Sequence, residues 1–157
     1  MRTTTRAVLL APLLLLALAG CAPIVALQPA PDAINPDCAK VIVNLPKTVA
    51  DLPSRETDAQ GTGAWGNPVA VVLHCGVPVP APTATLPCIT VSGVDWLRDS
   101  KDVENSIFTT YGRDPAVEVV VNGDAASGLS TLTDLSYAIT TVPAIGKCIS
   151  PEDASAG

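Results

Sequence analysis

Aromatic residues make up only 3% of the 157-residue chain: two Trp, two Tyr and one Phe. A core with so few rings has to be filled by small aliphatic side chains, and each ring present carries a large share of the burial. Basic residues are scarce as well. Nine Lys and Arg face fifteen Asp and Glu, a net charge of −6, which argues against recognition of a nucleic-acid backbone. Charged residues reach only 15%, under the usual quarter or so, yet 48% apolar content is too high for a disordered chain. There is one histidine, His74, and no C-x₂-C or H-x₃-H pair, so the common zinc patterns are missing. G-x-S-x-G, H-E-x-x-H, Walker and G-x-G-x-x-G patterns are missing too, and no repeat of 20–50 residues is visible. No cofactor and no metal are therefore expected.

A long hydrophobic run is also lacking. The longest, Ala7 to Ala19, is broken by Pro12 and falls short of the roughly 20 residues that span a bilayer. Preceded by Arg2 and Arg6, it fits the h-region of an export signal. It ends in Leu18-Ala19-Gly20-Cys21, which resembles a bacterial lipobox. That resemblance implies thioether lipidation of Cys21 and cleavage before it, with the protein held on the outer face of the cytoplasmic membrane. Two or more acyl chains anchor stably where one is marginal. Removal of Arg2 and Arg6 with residues 1–20 leaves seven basic residues against fifteen acids, a balance of −8. So acidic a domain is repelled by anionic lipid, and the lipid rather than a protein face supplies the attachment.

The organisation that follows is a signal peptide at 1–20, a lipidated Cys21 with a Pro-rich tether over 21–34, an extracytoplasmic domain over 35–150, and a polar tail at 151–157. Pro23, Pro29 and Pro31 keep the tether extended. Thirteen such residues reach roughly 40 Å, enough to lift the domain off the headgroups.

Asn35-Pro36-Asp37 carries an N-cap, a proline at the first helical position and an acid in the first turn. Cys38, Val41, Ile42 and Leu45 then share one helical face. Residues 53–67 are polar and Gly-rich and read as loop. Strands are expected over 68–75, 88–91, 94–97, 106–111 and 116–121, with Ser92-Gly93 as a hairpin turn. A last helix is expected near Thr131, with Asp134 completing a capping box and Leu132, Leu135, Ile139 and Val142 on its apolar face. The expected fold is α+β: a small, mainly antiparallel sheet of about five strands with a helix near each end, both helices on one face.

Four cysteines remain after Cys21. An even count in an exported chain reads as two disulfides with three possible connectivities. Cys75–Cys88 would clamp adjacent strands across a Pro-rich loop, and Cys38–Cys148 would tie the domain's ends, so this pairing is favoured.

Ala64-Trp65-Gly66-Asn67-Pro68, Leu73-His74-Cys75-Gly76-Val77, Val94-Asp95-Trp96 and the stretch from Phe108 through Tyr111-Gly112-Arg113-Asp114-Pro115 to Val119 together resemble the actinobacterial family called domain of unknown function 3515. The resemblance covers about residues 38–148. It implies an exported or lipid-anchored envelope protein with four structural cysteines, and no assigned activity. His74 stands where a basic residue such as Arg is the more usual choice.

Three functional readings follow. The first is a lipid-anchored, non-enzymatic module that binds or scaffolds an envelope protein or cell-wall component, without nucleic acid. The second is a lipoprotein binding a sugar or cell-wall fragment, with Trp65 as stacking platform and Arg113 as an anion fork; the competing reading makes Trp65 a core plug and Arg113 a turn bridge. The third is an envelope-acting enzyme with His74 as acid/base, though no nucleophile or carboxylate is placed beside it by the sequence. Trp96 alternates inward and reads as core. Thr83 and Thr85, among prolines, are candidates for O-linked sugars or simply part of a stiff loop.

Overall fold

The computed structural model describes residues 23–102 and 104–149. Cys21, the signal segment and the polar tail lie outside the described residues. The first regular element among the described residues is a helix, α1 (Pro36–Val43), whose Asn35 cap side chain accepts the Asp37 N–H at 3.0 Å. Pro36 sits in the first turn, where its missing N–H costs nothing. Eight strands follow: β1 (Thr48–Val49), β2 (Leu52–Arg55), β3 (Thr62–Trp65), β4 (Val71–Val77), β5 (Cys88–Val91), β6 (Val94–Asp99), β7 (Asn105–Thr110) and β8 (Ala116–Asn122). A second helix, α2 (Gly128–Ile139), comes last.

All eight strands form one sheet in the order β1-β2-β3-β4-β8-β7-β6-β5, and every neighbouring pair is antiparallel. This overturns the expected five-strand α+β arrangement with a helix near each end. Residues 53–67, expected as loop, supply most of β2 and all of β3. β3 reads Thr-Gly-Ala-Trp and carries no alternating apolar signal. It is a strand because Thr62–Trp65 pair with His74–Val71 across the turn, a tertiary choice that overrides local propensity.

The central strands explain the core. Val71, Leu73 and Cys75 on β4 oppose Val121, Val119 and Val117 on β8, and all six are buried. Period-two alternation puts them on one face, and both helices pack there: Cys38 and Val41 from α1, Leu132, Leu135 and Ile139 from α2. Trp65 and Trp96 fill the same layer, each almost fully buried. α2 is capped by Ser127 rather than Thr131. Asp134 completes no capping box there; its carboxylate accepts the backbone N–H of Ala50 at 2.8 Å and so ties α2 to the β1–β2 turn.

The disulfides correct the expected pairing. Cys38 bonds Cys75, and Cys88 bonds Cys148, with Cα separations of 5.5 and 5.7 Å. Cys75–Cys88 is excluded by the sheet order. Four strand spacings separate β4 from β5, roughly 19 Å, whereas a disulfide tolerates about 7 Å at most between Cα atoms. The two cysteines also project to opposite faces: Cys75 toward the helices, Cys88 (paired with Leu97) away from them. Cys38–Cys75 staples α1 to the sheet; Cys88–Cys148 fastens the C-terminal segment to the other face.

Both ends of the described residues are laid on the domain. Val25 bridges Thr57 in parallel, its N–H donating to the Glu56 carbonyl and its carbonyl accepting from Asp58. Asp32 N–H donates to Gly76, and a Cβ on Gly76, where φ is +90°, would collide with the Asp32 backbone. At the other end Ile145 and Gly146 donate to Gly112, whose own φ of +65° and bare Cα let Gly146 approach. Residues 23–34 are therefore no free tether; the Pro-rich segment is packed against β2, the β2–β3 connection and β4.

Candidate functional site

The structure does not bring the sequence-derived candidates together. Trp65 is 1% exposed, and its indole N–H donates to the Pro46 carbonyl at 3.1 Å. Gly63, two residues earlier on the same face, leaves room for its ring. Arg113 is 5% exposed and donates to the Val142 carbonyl. Burial pulls its pKa down, while the charge of Asp95 pushes it back up. Trp65 pairs with Val71, which opposes Val121 at the far end of β8, whereas Arg113 sits in the turn before Ala116. The two are core and turn residues at opposite ends of the sheet, and neither is free to take a sugar or peptide. The second reading from the sequence is thereby corrected: a buried ring with its N–H spent cannot act as a stacking platform.

His74 lies on the face away from the helices, between Thr62 on β3 and Glu118 on β8. It is half-buried, its Nδ1 has no hydrogen-bond partner, and it forms no ion pair with Glu118 among the described contacts. The Thr62 hydroxyl is committed to Thr57 and to the Ala59 carbonyl. Thr83 and Thr85 are exposed, with their hydroxyls 2.8 Å apart. Among the described residues no three His, Cys, Asp or Glu converge as a metal site, and no helix is long and apolar enough to cross a membrane.

A concave feature that combines apolar walls with a cation was not read from the sequence. A cavity of about 370 Å³ lies between the first turn of α2 and β5–β8. Its walls include Ile89, Val91, Phe108 and Leu132, and its polar groups include Arg98 and Ser106. Arg98 is directly opposite Phe108 in the β6–β7 register, so it rises from the helix-covered face although it stays exposed. The signal was available: Arg98 alternates with Val94 and Trp96, and carrying β6 one residue past Leu97 places an arginine on the inward face. A second cavity of about 310 Å³, between α1 and the β2–β3 connection, has only apolar and neutral polar walls.

Neither a curated protein nor a solved structure matches the chain. A family model described as "Protein of unknown function (DUF3515)" matches residues 5–146. That match covers well over half of the sequence, and the chain belongs to the DUF3515 family.

Proposed function

We propose that this protein is an exported, lipid-anchored envelope module of the outer membrane face that binds a partner or ligand without catalysing a reaction. The observation that carries the reading is the pair of disulfides, one on each face of the sheet. Such bridges persist in oxidising, extracytoplasmic compartments and are rare in reducing ones. Arg2, Arg6, the short apolar run and Leu18-Ala19-Gly20-Cys21 supply the address that matches.

The docked N-terminal segment changes the geometry of such an anchor. Pro23 is held by Arg55, so only Cys21 and Ala22 would separate the acyl chains from the domain. Two residues reach about 7 Å, not the roughly 40 Å of a free tether. The domain would rest at the headgroups, with the Gly66 turn nearest the membrane.

Cys21→Ala tests this. The wild-type protein is expected in the membrane pellet of fractionated cells, and the variant in the soluble exported fraction. Equal pelleting of both overturns the anchor. Crosslinking of the wild type in intact cells is expected to capture an envelope component; its absence from every crosslinked species overturns the binding role.

A further inference from the structure

We propose that the cavity between α2 and strands β5–β8 is a binding site for a small amphipathic carboxylate, with Arg98 holding the head and the apolar walls holding the body. This rests on the binding role proposed above and names its ligand class; it does not depend on the anchor.

Four observations converge. The volume, about 370 Å³, lies at the low end of the roughly 300–1,000 Å³ typical of small-molecule sites. The walls are the mixture such sites show: Ile89, Val91, Phe108 and Leu129 around few polar groups. Arg98 has no carboxylate partner within 4.0 Å among the described residues, although acids outnumber bases in the chain. A strand position opposite a buried Phe ordinarily takes an apolar side chain. An unpaired guanidinium there makes the mouth of an apolar cavity cationic within an acidic domain.

The remaining polar groups fit the same head. The cavity is lined by Ser106, Ser127 and Gly128, and the first turn of the twelve-residue α2 contains no acidic side chain. Ser127 takes the Ser130 N–H, and the Gly128 and Leu129 N–H groups with the positive end of the dipole are left to an outside anion. One guanidinium matches one carboxylate in a bidentate fork. A single cation balances a monoanion, which favours a carboxylate over a phosphate dianion. Val121, which lines the cavity, pairs with Val71 beside the Gly66 turn, so the site lies at the end of the sheet where Pro23 is docked.

The test titrates the full chain carrying Cys21→Ala, recovered from the exported fraction without detergent. The probes are octanoate (head and body), acetate (head alone) and 1-octanol (body alone), followed by calorimetry and backbone amide shifts. Octanoate is expected to bind saturably, with the largest shifts at Gly123, Gly128 and Leu129. Acetate and octanol are each expected to bind at least about tenfold more weakly. Arg98→Gln should weaken octanoate by at least about tenfold, the range of a lost charge-assisted bond, and leave octanol binding unchanged. Arg98 is exposed, so the variant should fold with an unaltered Tm. Octanoate that fails to saturate by about 10 mM, octanol that binds as tightly, or Arg98→Gln that binds like the parent each overturns the site. Such a failure, with crosslinked partners still captured in cells, removes the carboxylate and leaves the binding role standing.

Discussion

The guanidinium of Arg55 donates to the carbonyl of Pro23 at 2.7 Å and, through its other terminal nitrogen, to the carbonyl of Gly66 at 2.8 Å. One side chain on β2 thus clamps the N-terminal segment to the β3–β4 turn. Hydrogen bonds to a charged group contribute about 1.5–3 kcal/mol each. Arg55→Ala should cost about 2–3 kcal/mol, discounted from two such bonds because the site is half open to water. Hydrogen exchange checks the location of the loss. The Val25 and Leu27 amides, bonded to Glu56 and to Asp58, should lose protection while α2 keeps its own. Unchanged protection at both amides would show that the segment is held by something other than Arg55.

The disulfide pattern predicts a peptide map. Non-reducing digestion should yield Cys38–Cys75 and Cys88–Cys148 fragments and no others from these four residues. The bridges close sequence separations of 37 and 60 residues. In the chain-entropy account each is worth about 4 kcal/mol. Cys38→Ala with Cys75→Ala should lower Tm by an amount close to that of Cys88→Ala with Cys148→Ala, because loop length enters only as a logarithm. Recovery of a Cys38–Cys148 fragment would break the placement of α1 and of the C-terminal segment together.

That map also marks where the sequence stopped being informative. Features written in neighbouring residues were legible: Asn35-Pro36 opens α1, Ser92-Gly93 closes a hairpin between Val91 and Val94, and Val117, Val119 and Val121 declare a buried face. Features settled by partners far along the chain were not. Gly63 and Trp65 make a strand only because β4 lies beside them, and cysteine pairing follows from a strand order that places β8 next to β4. Ser127 and Thr131 are both competent caps. The choice between them falls to Asp134, which is engaged with Ala50 and so unavailable to a capping box. Prolines at 23, 29 and 31 pointed to extended backbone, but Pro31 opens a turn that runs to Ile34, and none of the three could show that the segment is docked. Arg98 entered the candidate site only when register set it opposite Phe108.

The β6–β7 loop predicts a titration below the usual carboxylate range. Asp102 accepts the Asn105 side-chain amide at 3.0 Å and the Glu104 backbone N–H at 2.9 Å. These bonds, the Asn105 one foremost, hold its pKa under the ordinary 3.8. A depressed folded-state pKa means that the ordering of the loop is complete above the ordinary value and is lost as pH falls through the lowered one. Carboxyl-detected NMR should find Asp102 titrating below the ordinary 3.8, and Asn105→Ala should move it upward. An Asp102 that titrates at or above the ordinary value in the wild type removes the Asn105 bond from the solution structure.

Arg113 separates a structural arginine from a binding one. Its guanidinium donates to the Val142 carbonyl beyond the end of α2 and feels the charge of Asp95. Asp95 in turn accepts the Cys148 N–H at 2.7 Å and the Thr90 hydroxyl at 2.6 Å. The turn, the last helix and the C-terminal bridge therefore meet at one buried cation. Arg113→Ala strands the Val142 carbonyl and removes the cation beside Asp95. Leaving such groups unpaired costs about 2–4 kcal/mol, a Tm loss on the order of 10 °C in a domain of this size. Arg113→Lys keeps the charge but loses the planar fork, and it should recover only part of that loss. Because arginine stays protonated in proteins, the deficit should be the same at pH 5 and pH 8. Arg98→Gln should show the reverse pattern: full stability with weakened octanoate binding. If Arg113→Ala leaves Tm unchanged, Arg113 is not holding the turn to α2.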